Sequence, residues 1–400
     1  MEKKYCLPIA LQIVMDDVGW FNGFDQRCAE GPSRTGIPRM HCAEDYAAIE
    51  AVGKEVGMKI NCPFVIGEWD KKNRLRGMPH ATNDEAGWDM ASKIDYAEAE
   101  KCLDVINRAE HFELAFHGLM HGYWENGISV ADSEFSHPST LDYRTKYAPA
   151  SVFVPVDNDY FESHIEAFFQ IYEDWGFKQK VRSFTSPSGI YKGVEENRHL
   201  VTMMKKYGMH YWANGWSAIK HAHEAIDGVI FINKSYTKTN HPHWAAYGID
   251  PEQQPDYSFA TNNLEVGGEQ GIYGMHWPNV LYFDPNRNLE CAKPWGRYMK
   301  RQAEIFGLML SKDTAFAASQ GVYRRYASIE ATKDGIAIDL AAVDNAGVSH
   351  LLDNSFYISI EKGITPKLTK GGALSLYEEH KDFNNYKIER NGEKTVLISL

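Results

Sequence analysis

The chain has 400 residues, 44% hydrophobic, 24% charged and 13% aromatic, with a formal net charge of -12. That length calls for one large domain plus a smaller one, and the composition is that of a folded protein and excludes general disorder. The acidic balance argues against nucleic acid or an anionic lipid surface as partner, because both need a basic face to displace counterions.

Residues 1–20 have a basic start, but the apolar stretch is short and runs into Asp16 and Asp17 without a small-residue cleavage site, so it reads as a first strand over 11–15. A helical pattern over 42–56 is followed by a strand at 59–66, a helix at 96–108 and a strand at 112–116. The alternation continues with a helix at 161–175, a strand at 180–185, a helix at 195–207 and strands at 210–212 and 229–232. This rhythm defines an α/β fold, in which the carboxyl ends of the strands build the active site. Residues 244–274, rich in Gly, Asn, Gln and Pro, read as a long loop over the cleft. After an amphipathic helix at 295–310 the pattern turns to alternation at 329–343, 355–360 and 395–400. Two domains are expected: an α/β catalytic domain over 1–320 and a small all-β, sandwich-like accessory domain over 321–400, with the boundary near Gln320 to Val322.

No segment reaches the roughly 20 uninterrupted apolar residues that cross a bilayer, so membrane insertion is not expected and the cytoplasm is the expected location. The six cysteines lack a C-x-x-C pair and the density of a disulfide scaffold, which points to reduced thiols.

Three segments carry chemistry: Met15-Asp16-Asp17 at the end of the first strand, His117-Gly118-Leu119-Met120-His121 after a middle strand, and His276-Trp277-Pro278 after a late one. Imidazoles four apart on a helical turn face one side, so His117 and His121 can chelate one ion, and Asp17 is the carboxylate chosen to complete a three-ligand site with open positions. Those positions would take water and a substrate oxygen, with Asp16 receiving the water's proton. Each segment alone has a blander reading. Paired aspartates often serve as turn or cap residues, histidines four apart are often solvated neighbours, and a histidine before Trp-Pro is often a packed loop residue. The conjunction at three strand ends favours chemistry.

At these residues the chain resembles the polysaccharide deacetylases, carbohydrate esterase family four, over about its first 310 residues. The resemblance implies a distorted seven-stranded (β/α) barrel, with Asp16 as catalytic base, Asp17, His117 and His121 as ligands of one divalent metal ion, and His276 as the acid that protonates the leaving amine. Zinc is the expected metal; cobalt, nickel and iron also suit such a site. Phe184-Thr185-Ser186-Pro187-Ser188-Gly189 resembles the family's third motif, which makes Pro187 and Ser188 candidates for the cleft wall. Thr185 stands where the family carries an arginine, and Arg182 is the candidate replacement; Gly118 stands where Ser or Thr is common.

Trp20, Trp124 and Trp277 lie within a few residues of the proposed ligands and are candidates for stacking on a sugar, set against packing in the core. His241 and His243, like His221 and His223, read as polar loop residues. The function expected is removal of an N-acetyl group from an acetamido sugar or polysaccharide precursor by metal-activated water. The alternatives are hydrolysis of another small amide, such as a formamide or cyclic imide, and a catalytically inactive carbohydrate-binding protein. A two-carboxylate glycosidase fits less well, because the paired acids are adjacent in sequence rather than set across a cleft.

Overall fold

The computed structural model describes residues 5–21, 37, 39–139, 152–188, 194–214 and 223–236, and the whole of 271–400. Its elements, in chain order, begin with β1 (Tyr5–Cys6), β2 (Ala10–Asp16), α1 (Ala43–Val56), β3 (Ile60–Phe64), α2 (Tyr96–Arg108) and β4 (Phe112–Phe116). Four short strands follow, β5 (Tyr123–Glu125), β6 (Ile128–Ala131), β7 (Ser136–Pro138) and β8 (Phe153–Pro155), then α3 (Asn158–Trp175), β9 (Ser183–Thr185), α4 (Val194–Lys206) and β10 (Tyr211–Asn214). The second half carries β11 (Glu224–Ile226), β12 (Val229–Tyr236), β13 (Ile272–His276), α5 (Ala292–Phe306), β14 (Met309–Leu310) and α6 (Thr314–Tyr326). The chain closes with β15 (Ser328–Thr332), β16 (Gly335–Asp339), β17 (Ser355–Glu361), β18 (Lys367–Lys370), β19 (Gly372–Glu379), β20 (Phe383–Arg390) and β21 (Thr395–Ser399).

Strands β2, β3, β4, β9, β10, β12 and β13 pair in that order, every pairing parallel, and β13 pairs back onto β2. The ring is uneven. β13 and β2 match from Ile272↔Gln12 to His276↔Asp16, whereas β4 meets β9 at Phe116↔Phe184 and β2 meets β3 at Val14↔Asn61. Strand β2, Ala-Leu-Gln-Ile-Val-Met-Asp, is buried along its whole length, as a parallel strand covered on both faces must be. The helices start where side chains can accept their first free amides. Asp157 accepts from Tyr160 at 2.8 Å and Asp313 from Phe316 at 2.8 Å. Helices α1 and α3 end at Gly57 and Gly176, both left-handed.

The amino ends of the ring strands are plugged by polar side chains. Asn61 donates to Ser183 Oγ (2.8 Å) and Thr314 Oγ1 (2.9 Å), and Gln12 donates to the Lys59 carbonyl at 2.6 Å.

The strands beyond α6 build two four-stranded antiparallel sheets, β15-β16-β21-β18 and, with the N-terminal β1 added at its edge, β1-β17-β20-β19. Ile336, Ile338, Val396 and Ile398 of one sheet share a buried cluster with Phe356, Ile358, Ile360 and Ile388 of the other. The same cluster takes in Val322 and Tyr323 of α6 and Val14, Ile230 and Ile272 of the parallel ring. The change of character expected at 320–322 therefore falls inside α6, and the N-terminal β1 pairs with β17 (Tyr5↔Ile360). Among the described residues the cysteines Cys42, Cys62, Cys102 and Cys291 are free thiols, and no helix is long and apolar enough to cross a membrane.

Several expectations shift. The loop expected over 244–274 gives way to β13 from Ile272, and 244–270 lie outside the described residues, as do His221, His241 and His243. His223 lies in a turn just before β11, as expected of a loop residue, but it is buried rather than solvent-facing. It is 3% exposed, and an added Cβ on Gly321 would meet its ring at 1.9 Å, so that glycine makes room for it.

Candidate metal centre

Strand β2 ends in Asp16, and the next residue, Asp17, takes a left-handed φ of 61°. The chain then stays beside the end of β3, because Val18 donates to the Pro63 carbonyl (3.1 Å) and Val65 donates back to Val18 (2.8 Å). Gly19 is required there: its φ is +111°, and a Cβ would lie 2.4 Å from the Val65 carbonyl oxygen. Trp69 Nε1 holds the Gly19 carbonyl at 2.8 Å, and Glu68 accepts the Phe21 amide at 2.8 Å.

His117 follows β4, and its Nδ1 lies 2.6 Å from the Thr185 carbonyl at the end of β9. A carbonyl oxygen only accepts, so Nδ1 carries a proton, and the ring turns Nε2 inward as the atom available to a cation. That Nε2 is 3.3 Å from Asp17 Oδ1, and His121 Nε2 is also 3.3 Å from Asp17 Oδ1. The ligand atoms of Asp17, His117 and His121 lie within 4.8 Å of one another, and the side chains are 0–2% exposed. A lone pair facing a carboxylate oxygen is repulsive unless a cation or proton sits between them. Two imidazoles and a carboxylate, with the backbone carbonyl fixing one ring's tautomer, form a donor set that suits a transition-metal cation.

His276 ends β13, in register with Asp16, and its Nε2 lies 3.5 Å from Asp17 Oδ2. Its side chain is 19% exposed, more than Asp17, His117 or His121, so it faces the opening of the site. Its backbone amide donates to Asn279 Oδ1 at 2.9 Å, which fixes where the strand turns. Asp16 is 2% exposed. The structure thus brings Asp16, Asp17, His117, His121 and His276 to one end of the parallel ring.

The local conformation differs from the expected helical turn. Gly118 has φ +84° and His121 φ +63°, so 117–121 is a loop whose two left-handed residues bend the chain until both rings meet Asp17. Glu134, missed in the sequence, accepts the Leu119 amide (2.9 and 2.8 Å) and the Met120 amide (3.0 Å) from its buried carboxylate, and His164 Nδ1 lies 2.6 Å away. A Cβ on Gly118 would sit 2.5 Å from Glu134 Oε2, which is why no Ser or Thr stands there. Glu134 lies in a stretch without periodicity, and no residue pattern announces it.

Arg182 does not replace the third-motif arginine. It is exposed and precedes β9, at the amino end of the ring, with Lys59 and Asp313. What Thr185 supplies is its backbone carbonyl. Pro187 is buried and Ser188 part-buried with φ +51°, two and three residues past β9 on the same side as the cluster. Trp20, Trp124 and Trp277 are 1%, 2% and 0% exposed. Trp124 donates to the Met120 carbonyl (3.4 Å); Trp277 donates to the Asp45 carbonyl (3.2 Å) and stacks on His41 at 4.3 Å. These indoles pack behind the site and present no open face to a sugar.

Around Trp277, Asp45 is fully buried and bound by the two terminal Arg39 nitrogens at 2.8 Å and by Asn288 at 2.6 Å. Burial pushes its carboxyl up, but the Arg39 and His41 contacts outweigh that and hold it well below the usual carboxylate range.

Solved structures similar to this chain include a CE4 family pseudoenzyme from Bacillus anthracis, with 12% identity, 78% of this chain and 66% of that chain covered, and a TM-score of 0.36. A protein assigned as a polysaccharide deacetylase from Mycobacterium smegmatis shares 12% identity over 72% of this chain and 80% of its own, with a TM-score of 0.38. One from Parabacteroides distasonis assigned as a glycoside hydrolase/deacetylase shares 10% over 88% and 79%, with a TM-score of 0.42. The chain thus spans just under two thirds of the first of these. No family model and no curated protein matches the sequence.

Proposed function

We propose that the chain is a metal-dependent amidohydrolase on a deacetylase-type seven-stranded barrel with a sandwich-like accessory domain, and that it removes the N-acetyl group of an acetamido sugar. The observation that carries this is the convergence of His117 Nε2 and His121 Nε2 on Asp17 Oδ1, each at 3.3 Å. Asp17, His117 and His121 would hold one divalent cation, zinc being the metal proposed. Such a cation supplies Lewis acidity, lowering the pKa of water and polarising a carbonyl.

The remaining roles belong to the chain's own groups. Asp16, 2% exposed beside the cluster, takes the proton of the water that attacks the acetamide carbonyl. His276, on the open side, gives a proton to the nitrogen as the C–N bond breaks, and acetate and a free amine leave. Asp17 Oδ2, 3.5 Å from His276 Nε2, keeps that ring turned toward the reacting atoms. The Thr185 carbonyl fixes the His117 tautomer, and Pro187 and Ser188 line one wall.

The burial of Trp20, Trp124 and Trp277 favours one alternative, hydrolysis of a small amide such as a formamide or cyclic imide, where no ring needs an aromatic platform. Acetate release from a panel of acetamido sugars, with formamides and cyclic imides in parallel, separates the two. Turnover of an acetamido sugar that chelator abolishes supports the deacetylase. Turnover confined to the small amides replaces it with the alternative, and turnover of neither sinks both.

A further inference from the structure

The geometry points to Glu134 as the positioning residue that shapes the two-histidine loop for cation binding, an inference that rests on the metal reading above. Its side chain is 0% exposed and receives two consecutive backbone amides, Leu119 and Met120, from the residues between the two histidines. On the loop's other edge the Gly118 and Leu119 carbonyls accept from Ile66 (3.4 Å) and Gly67 (2.7 Å). The loop is therefore clamped from both sides, its amides by a carboxylate and its carbonyls by the segment after β3.

This clamp decides the course of the chain. In a helical turn the amides at 119 and 120 would point back along the helix axis; here both are drawn to one carboxylate, and the turn is completed by left-handed Gly118 and His121. With those conformations His121 Nε2 arrives 3.3 Å from the same Asp17 oxygen that His117 faces. Glu134 is itself held by His164 Nδ1 at 2.6 Å, and the His164 ring stacks on Tyr160 at 4.0 Å, so helix α3 anchors the clamp. Partners that orient ligands without touching the metal typically account for about 10- to 100-fold in its affinity.

The test is cobalt(II) titration of the metal-stripped full chain, followed by calorimetry and visible absorption, for wild type, Glu134→Gln and His164→Gln. Glutamine keeps the shape of Glu134 but removes its charge and turns one acceptor oxygen into an NH2 donor, and because the Leu119 amide lies 2.9 and 2.8 Å from the two carboxylate oxygens that donor opposes it in either orientation, so cobalt affinity should fall about 10- to 100-fold and the d–d bands should change in energy or intensity. His164→Gln keeps the carboxylate but loosens its anchor to α3, so cobalt affinity should fall in the same direction as in the Glu134 variant and by less. If Glu134→Gln does not fold, Glu134→Asp, which withdraws the carboxylate by one methylene, should show the same loss. Wild-type affinity and spectrum in the Glu134 variant, even with a lowered melting temperature, would overturn the positioning role and leave the metal reading intact. A wild-type chain that binds no cobalt would overturn both.

Discussion

Replacing Gly118 by alanine tests how tightly the histidine loop is built. Two costs follow from the structure. The φ of +84° places an L side chain in the left-handed region, at about 1–2 kcal/mol. The new Cβ would meet Glu134 Oε2 at 2.5 Å, Cδ at 2.7 Å and Oε1 at 2.9 Å, and that buried carboxylate cannot retreat without releasing the Leu119 and Met120 amides. Overpacking of this kind costs about 1–3 kcal/mol, so the sum is about 2–5 kcal/mol. Gly57→Ala supplies the control, because Gly57 has nearly the same φ, +81°, with nothing within 4 Å of the added Cβ. Urea unfolding of the metal-free protein, read by circular dichroism, should show Gly57→Ala losing only the backbone share and Gly118→Ala losing clearly more. Equal losses in the two variants, or less than about 0.5 kcal/mol for Gly118→Ala, would refute the clamp as described.

Asp16→Asn should lower kcat by about 10²–10⁴ while leaving cation affinity near that of wild type, as loss of a positioned base does; parallel loss of the metal would make Asp16 a ligand instead. Burial, with a smaller contribution from Arg324, holds the His223 imidazole down at about 4, against 6.5 in an unfolded chain. Because the folded value is the lower one, the unfolded state takes up the proton first, and stability is lost as pH falls from 6.5 through 4, by about 3 kcal/mol. Urea midpoints at pH 7 and pH 4.5 should therefore converge in His223→Gln relative to wild type, and an unchanged pH dependence in that variant would contradict the assignment.

Much of the site was legible because parallel α/β topology collects strand ends. Asp16 and Asp17, His117 and His276 each follow an apolar run, and each reaches the carboxyl end of the ring. The path between His117 and His121 was not legible, since the H-x-x-x-H spacing suits a helix and the partner that prevents one, Glu134, lies 15 residues beyond Leu119 and 14 beyond Met120. Nearness in sequence also misled. Trp20, Trp124 and Trp277 sit beside the ligands along the chain, yet their indoles turn into the core. Arg182 precedes Thr185 by three residues, and a three-residue strand is enough to carry it to the opposite end of the ring. The niche of His223 depends on Gly271 and Gly321, both distant in sequence, and α6 carries apolar residues for both halves, so no composition change marks a boundary within it.

The most direct measurement is zinc titration by calorimetry into chelator-stripped protein, wild type beside His117→Ala. One tight site per chain, absent in the variant, is the predicted result; a wild-type chain with no site, or a variant that binds zinc as well as wild type, would contradict the metal centre.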